Sequence, residues 1–279
     1  MLRTRLLTAA AGIPVLVGVV WVGGVLLAAV VSLAVGVACI ELAMAREAHR
    51  TPLAITGALC ASSLPLLALE GPAYLLGGIV GTIGLVSAVY TFTKDPAGDL
   101  NNWLWSIGTA VYFGGLGAYF VLLRDVSAFS PGWTEFPPPS FDDEFGRDLV
   151  FFTLITVWLT DTGAYVVGRA VGKHKLAPAI SPNKTIEGAI GSMIWGFAAV
   201  FVLNEVFTLG LDVEHRIALG LLLPPVIVVG DLAESALKRA LGVKDSSGLV
   251  PGHGGIADRL DSLLFAAPAV YYYLQWIVL

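Results

Sequence analysis

The sequence predicts an all-α, polytopic integral membrane protein with about nine transmembrane helices and a polar site that faces the cytoplasm. Only 13% of its residues are charged and 56% are hydrophobic, whereas soluble domains average about 25% charged residues. The mean hydropathy of +0.80 points the same way. A water-soluble fold of 279 residues lacks the interior to hide so much apolar surface, so the soluble classes of protein are excluded.

Apolar runs separated by polar or Gly- and Pro-containing breaks predict the individual spans. The first run, residues 6–40, has no charged residue and would form a helix about 52 Å long. Since the hydrocarbon core is about 30 Å thick, this run predicts two spans with a turn near residues 21–24. The approximate bounds of the other spans are residues 53–69, 73–92, 103–123, 149–168, 186–209, 216–230 and 262–279.

The distribution of basic residues predicts the orientation, because Lys and Arg concentrate in cytoplasmic loops. With the N-terminus inside, all of the 16 basic residues except Arg124, Arg147 and Arg216 lie on the cytoplasmic side. The acidic loop 124–148 then lies outside, and the polar stretches 169–185 and 231–261 share the cytoplasmic face. We expect an inner-membrane protein with N-terminal transmembrane helices and an outer loop in residues 1–148, and a catalytic membrane region in residues 149–279.

The polar stretch 231–261 has the residue types of a site for a metal ion and phosphate groups. Asp258 and Asp261 are three residues apart at the start of the last span, so a helix would place both on one face. Magnesium typically binds one or two carboxylates together with water and substrate phosphates, and Asp231 is a candidate third ligand. The alternative is a pair of carboxylates that only mark the start of a helix.

Two further clusters carry cations on the same face of the membrane. Helical spacing places Asp231, Glu234 or Ser235, and Lys238 along one stripe, which an interfacial amphipathic helix would also explain. In the stretch ISPNKTIEG, Ser181 followed by Pro182 predicts a helix start, with Lys184 one turn in. Such a start is an anion site or an ordinary helix cap.

Three ionisable residues near the spans need separate interpretation. Asp161 lies about seven residues before the cytoplasmic end of its span, which would place it about 10 Å deep. An ionisable residue inside a span is a functional-site hypothesis by default, and the alternative is a hydrogen bond between packed helices. His253 in GHGG is either a general base or a turn residue. For Glu41, packing or an interfacial position is the better interpretation.

Two blocks of the sequence resemble a known family. The stretch SALKRALGVKDSSGLVPGHGGIADRLD, residues 235–261, is similar to the signature of the phosphatidate cytidylyltransferases, also called CDP-diacylglycerol synthases. The upstream block DTGAYVVGRAVGKHKLAPAISPNKTIEG, residues 161–188, resembles the second block of that family. The resemblance covers roughly residues 158–262. Val250 and Asn183 depart from the family pattern, but neither replaces a charged ligand.

The resemblance implies that CTP and phosphatidic acid give CDP-diacylglycerol and pyrophosphate, with Mg²⁺ as cofactor and a second, monovalent cation such as K⁺. It also implies a homodimer in the lipid membrane and no nucleic-acid partner. The resemblance implies that Asp231, Asp258 and Asp261 are metal ligands. Beside it, the chemistry of the reaction predicts Asp231, Lys238, Arg239, Asp258 and Asp261 as the catalytic residues, with the cations contacting phosphates. The predicted substrate-binding or loop-ordering residues are Asp161, Ser181, Lys184, Thr185, Glu187, Lys244, Asp245, His253 and Arg259.

Three other functions fit parts of the same pattern. A CTP-dependent lipid-alcohol kinase would transfer the γ-phosphoryl group, and a CDP-archaeol synthase would use an ether lipid. A cation-coupled transporter would also contain intramembrane acids such as Asp161. Transporter sites lie near the bilayer midplane between internal repeats, whereas this chain has no visible repeat and concentrates its charge in cytoplasmic loops.

Overall fold

The computed structural model describes residues 2–48, 51–93, 96–126, 143–249 and 254–278, and helices make up most of them. The strands in these ranges form one antiparallel pair, β1–β2. The helices and strands are α1 (Leu2–Val22), α2 (Gly24–Ala45), α3 (Pro52–Leu67), α4 (Pro72–Thr91), α5 (Pro96–Thr109), α6 (Tyr119–Arg124), α7 (Asp143–Val171), β1 (Lys175–Ala177), β2 (Ser181–Thr185), α8 (Ile186–Val206), α9 (Val213–Ala240), α10 (Ala257–Leu260) and α11 (Leu263–Tyr273). The prediction of an all-α polytopic membrane protein is confirmed.

Seven helical segments within the described ranges are long and apolar enough to cross a membrane. They are Gly24–Ala45, Pro52–Glu70, Pro72–Thr91, Asp99–Arg124, Glu144–Val171, Ile186–Val206 and Val213–Ala240. The apolar part of α1, Ala10–Val22, is shorter, and α11 continues through a π-helical turn, Leu274–Val278. The count of nine spans stays a prediction.

Local sequence explains where the early helices break. Gly23 and Gly24 have φ angles of 65° and 48°, which favour glycine, so the first apolar run turns where the sequence predicted. Gly71, with φ 112°, separates the end of the α3 segment from α4. Both α3 and α4 begin with a proline at the first helical position, where its missing N–H costs nothing.

The fold has two compact units that interleave along the chain: unit 1 comprises Met1–Leu122 and Ala240–Leu260, and unit 2 comprises Leu123–Arg239 and Asp261–Leu279. In unit 1, α3 packs against α2 and against the π-helical turn Ala110–Gly115. A Cβ on Gly114 would lie 2.7 Å from Ala61 Cα, so only glycine permits this approach. The predicted division at residue 148 follows function rather than these units and stays a prediction.

In unit 2, α7 and α8 pack closely along rows of glycine. A Cβ on Gly163 would lie 2.5 Å from Trp195 Cβ, and one on Gly191 would lie 2.5 Å from Val167 Cβ. Small residues let membrane helices approach each other closely. This packing brings the C-terminal half of α7 against the first turns of α8, where the predicted site residues lie.

The predicted helix start at Ser181 and Pro182 is wrong. Residues Ser181–Thr185 form strand β2, which pairs antiparallel with β1 in the register Lys175↔Thr185 and Ala177↔Ser181. Proline is tolerated there because it lies on an edge of a two-stranded sheet. The cap of α8 is Thr185, whose backbone is extended and whose hydroxyl accepts a hydrogen bond from Gly188 N at 3.0 Å.

Helix α9 extends ten residues beyond the predicted end of its span at residue 230. The first part of the polar stretch is therefore helical, and Asp231, Glu234 and Lys238 follow each other along α9, as the helical spacing predicted. Residues 243–249 and 254–256 then form an irregular segment before the short helix α10.

Candidate active site

A cavity of about 570 Å³ in unit 2 brings together four predicted site residues: Asp161, Lys184, Thr185 and Asp231. The first comes from α7, the next two from β2 and the last from α9. The other lining residues are Ala164, Tyr165, Gly168, Arg169, Leu176, Asn183, Gly188, Ala189 and Val228. Three segments of the chain, up to 70 positions apart in sequence, thus converge on one site.

The main polar contact of this cavity joins Lys184 to Asp231. The Nζ atom of Lys184 lies 2.6 Å from Oδ2 of Asp231, and the two side chains are 24% and 28% exposed. The Ser235 hydroxyl donates a long, 3.5 Å hydrogen bond to the other carboxylate oxygen, Oδ1. The Lys184 Nζ atom is buried beside the Asp231 carboxylate, while both residues line a partly enclosed cavity with room for a ligand.

The start of α8 forms one wall of the cavity through close backbone packing. Gly168 and Gly188 leave space for the Thr185 side chain, because a Cβ on either glycine would lie 3.1 Å from Thr185 Oγ1. A Cβ on Gly172 would lie 2.2 Å from the Gly168 carbonyl oxygen. Thr185 is buried, and its side chain caps α8 within the wall that lines the cavity.

Glu187 and Arg239, both predicted site residues, hold the β-hairpin in place. The Glu187 carboxylate accepts hydrogen bonds from the backbone N–H groups of Lys173 and His174, and lies 2.6 Å from the His174 ring nitrogen Nδ1. The Arg239 Nε donates to the Ile180 carbonyl at 3.0 Å. These contacts attach the segment before β1 to α8 and the turn between β1 and β2 to α9. The sequence analysis had not singled out His174.

Lys238 pairs with a buried carboxylate on its own helix. Its Nζ lies 2.8 Å from Oε2 of Glu234, one turn away, and the Glu234 side chain is only 3% exposed. The prediction had left Glu234 and Ser235 as alternatives on this stripe. The structure makes Glu234 the partner of Lys238 and turns Ser235 toward Asp231.

A second group of polar contacts, in unit 1, surrounds Glu41 of α2. The Glu41 carboxylate accepts hydrogen bonds from the hydroxyls of Ser246 and Ser247 and from the backbone N–H groups of Ile256 and Ala257. The interpretation of Glu41 as a packing or interfacial residue missed these contacts. An ionisable residue in an apolar helix is a functional-site hypothesis by default. This rule was applied to Asp161 and would also have selected Glu41.

Asp258 lies in the same group and is 6% exposed. Its Oδ2 atom accepts hydrogen bonds from Ser246 N, Ser246 Oγ and Gly255 N at 2.8–3.0 Å. A Cβ on Gly255 would lie 2.0 Å from Ser246 Oγ and 2.5 Å from Glu41 Oε2, so a side chain cannot fit there. Asp258 thus orders the segment that precedes it.

The remaining predicted site residues have fewer described contacts. Asp261 accepts a hydrogen bond from the adjacent Ser262 N at 2.6 Å, while Lys244, Asp245 and Arg259 are exposed and Ser181 is half-buried. His253 lies outside the described residues. Among the residues that are described, no three His, Cys, Asp or Glu side chains form a group that could hold a metal ion, so the ligand assignment of Asp231, Asp258 and Asp261 stays a prediction.

Comparison with known proteins gives a match over nearly the whole chain. A family model described as "Cytidylyltransferase family" matches residues 3–277. A phosphatidate cytidylyltransferase of Bacillus subtilis (strain 168) is 37% identical over 184 residues, which are 66% of this chain and 60% of the relative. Those of Staphylococcus saprophyticus and Staphylococcus haemolyticus are 48% and 46% identical over 129 and 123 residues, in each case 44% of this chain and 47% of the relative. The chain thus spans about half the length of the curated relatives it matches.

Proposed function

This chain belongs to the cytidylyltransferase family, and we propose that it transfers the cytidylyl group of CTP to phosphatidic acid. The products are CDP-diacylglycerol and pyrophosphate. The observation that carries the proposal is the cavity in which Lys184 and Asp231 face each other at 2.6 Å, beside Asp161 of a candidate membrane span. A cavity between membrane-spanning helices gives a lipid phosphate and a nucleotide a common place to meet.

The reaction joins an oxygen of the lipid phosphate to the α-phosphorus of CTP and breaks the bond from that phosphorus to the β-phosphate oxygen. Pyrophosphate leaves with the electron pair of that bond. A phosphomonoester has its second pKa near 6 and is largely dianionic at neutral pH, so no strong general base is needed. Catalysis then depends mainly on alignment and on neutralising the charge of the phosphates.

The cations in unit 2 have distinct roles in this proposal. The Lys184 ammonium lines the cavity and contacts the phosphates of CTP, while Lys238 and Arg239 extend the positive charge along α9. Arg239 also holds the hairpin that carries Lys184, through its bond to the Ile180 carbonyl. Thr185 and Glu187 keep the α8 start and the hairpin in register, so their effect on the substrate is indirect.

Magnesium is the proposed cofactor, and the carboxylates of the cavity support that proposal. Asp231 presents a partly exposed carboxylate to the cavity, and magnesium usually takes one or two carboxylates together with water and substrate phosphates. Asp258 and Asp261 are the further proposed ligands, with K⁺ as the second cation. Magnesium supplies charge neutralisation when it is bound, and Lys184 beside Asp231 directs incoming phosphates toward that carboxylate.

The proposal places this site on the cytoplasmic side of the inner membrane, in a homodimer. The cytoplasmic placement is supported by the clustering of Lys and Arg in residues 169–185 and 231–261. Cysteine accessibility in inside-out vesicles tests the orientation with Lys173→Cys, and the mass of the protein in a nanodisc tests the dimer. Labelling of Lys173→Cys only from the vesicle lumen, which corresponds to the outer face of the membrane, would refute the cytoplasmic orientation.

The decisive experiment uses CTP labelled in either the α or the γ position with the purified protein, phosphatidic acid and magnesium. We expect the α label to enter the lipid and the γ label to leave as pyrophosphate. In a parallel reaction that contains an isoprenoid alcohol instead of phosphatidic acid, transfer of the γ label to that alcohol would identify a CTP-dependent kinase. Glu70→Gln, at an exposed carboxylate in unit 1, provides an active control.

A further inference from the structure

The Glu41 carboxylate is a buried acceptor for four hydrogen-bond donors. Glu41 is 3% exposed and lies in Gly24–Ala45, a candidate membrane span. Its Oε1 atom accepts from Ser247 Oγ at 2.6 Å and from Ile256 N at 3.0 Å. Its Oε2 atom accepts from Ser246 Oγ at 3.1 Å and from Ala257 N at 2.9 Å. A carboxylate that loses its water on burial is stable only when such donors replace it.

These donors come from both sides of one loop. We define the polar loop by its described residues, 243–249 and 254–257. Ser246 and Ser247 lie on its first side, while Ile256 and Ala257 lie on its second side, directly before Asp258. One side chain of α2 therefore ties both sides of the loop to a transmembrane helix.

The same contacts extend to Asp258. Ser246 Oγ lies 3.0 Å from Asp258 Oδ2 and 3.1 Å from Glu41 Oε2, so one hydroxyl lies between the two carboxylates and its single hydrogen is shared between them. The backbone N–H of Ala257, the residue before Asp258, is held by Glu41. Any shift of the polar loop away from Glu41 therefore moves the backbone that carries Asp258.

We propose that Glu41 is a positioning residue. It clamps the polar loop and so holds the Asp258 carboxylate in the orientation that binds magnesium. This inference rests on the proposed function, in which Asp258 is a ligand of magnesium. The physical reason is burial: Ala257 is buried in unit 1, and its N–H would lose its partner if Glu41 no longer accepted the bond, which is costly. The negative charge of Glu41 also strengthens each of the four bonds.

The test compares Glu41→Gln and Ser247→Ala with the control Glu70→Gln. Glutamine keeps the size of Glu41 but turns an NH₂ group toward hydrogen-bond donors. Ser247→Ala removes the 2.6 Å bond to Glu41 and also the weaker bond from Leu249 N, while leaving both carboxylates in place. If Glu41→Gln does not fold, hydrogen exchange in Ser247→Ala tests the clamp in its place.

The first readout needs neither substrate nor magnesium. Hydrogen exchange of the detergent-solubilised protein should show the Ile256 and Ala257 amides exchanging at least about tenfold faster in Glu41→Gln, in line with the loss of one charged hydrogen bond. Ser247→Ala should show a smaller increase of the same kind, and Glu70→Gln none. Unchanged exchange in the loop variants would overturn the proposal.

The second readout separates positioning from a general effect on folding. We expect Glu41→Gln to raise the Mg²⁺ concentration for half-maximal CDP-lipid formation about tenfold, whereas a loss of folded protein alone would lower the rate and leave that concentration unchanged. Faster exchange with an unchanged Mg²⁺ dependence would therefore refute the positioning role. If wild-type protein forms no CDP-lipid, the proposed function fails, and the exchange data alone then test the clamp.

Discussion

Replacing Lys184 by methionine removes the cation from the Lys184–Asp231 ion pair while keeping most of the side-chain volume. Asp231 then presents an unbalanced negative charge to the cavity, and this charge repels the phosphates of CTP. We expect kcat/KM for CTP to fall, mainly through a higher KM. Lys173→Met is the matched control, because Lys173 is exposed and does not line the cavity.

The strength of the ion pair follows from its geometry. At 2.6 Å and an effective dielectric constant of about 20, the Coulomb attraction is about 6 kcal/mol before desolvation is subtracted. Exposed pairs retain about 0.2–1 kcal/mol, and breaking fully buried pairs costs about 3–5 kcal/mol. The change in kcat/KM comes instead from the lost contact between the Lys184 ammonium and a CTP phosphate. A hydrogen bond between charged groups contributes about 1.5–3 kcal/mol, so a loss of about 2 kcal/mol is expected, which is about 30-fold in kcat/KM.

A double-mutant cycle with Asp231→Asn tests whether the two residues act as a unit. Groups in direct contact show non-additive effects, so Lys184→Met combined with Asp231→Asn should lose less activity than the product of the two single losses. The assay is CDP-lipid formation at saturating phosphatidic acid over a range of CTP concentrations. Losses that multiply, leaving a coupling energy below about 0.5 kcal/mol, would refute the paired role.

Three further predictions concern the same unit and its cofactor. Thr185→Val should lower stability by about 1 kcal/mol through the lost bond to Gly188 N, seen as a lower Tm that Thr185→Ser restores; an unchanged Tm would contradict this cap. Gly191→Leu should cost about 1–3 kcal/mol by overpacking against Val167, whereas Gly84→Leu, where a Cβ meets nothing within 4 Å, should not. Chelation should abolish CDP-lipid formation and Mg²⁺ should restore it; activity that persists in chelator would exclude the magnesium proposal.

Local patterns in the sequence determined the helices and several of their ends. The break at Gly23 and Gly24 and the turn at Gly71 follow from backbone conformations that glycine adopts at low cost. The position of Asp161 within an apolar run was also predictable from the sequence, because hydropathy depends on neighbours along the chain. Its convergence with Lys184 and Asp231 on one cavity required the packed helices of unit 2.

The helix start predicted at Ser181 shows where local reasoning ended. Serine followed by proline is a common cap pattern, but here the backbone of Ser181–Thr185 pairs with β1, and Thr185 caps the helix instead. Pairing with a strand earlier in the chain is a competing interaction that the cap pattern does not contain. Lys184 lines the candidate cavity, but the structure places it on a strand rather than in a helix.

The composition of the chain and its apolar runs determined a polytopic membrane protein, and its charged motifs predicted four residues that line the candidate cavity, Asp161, Lys184, Thr185 and Asp231. Only the tertiary structure decided which of those residues meet, and it added Glu41, whose donors lie 205 to 216 positions away in sequence. The physical reason is that hydropathy and backbone preference act between neighbours along the chain. Burial of a carboxylate depends instead on donors that folding brings to it from distant segments.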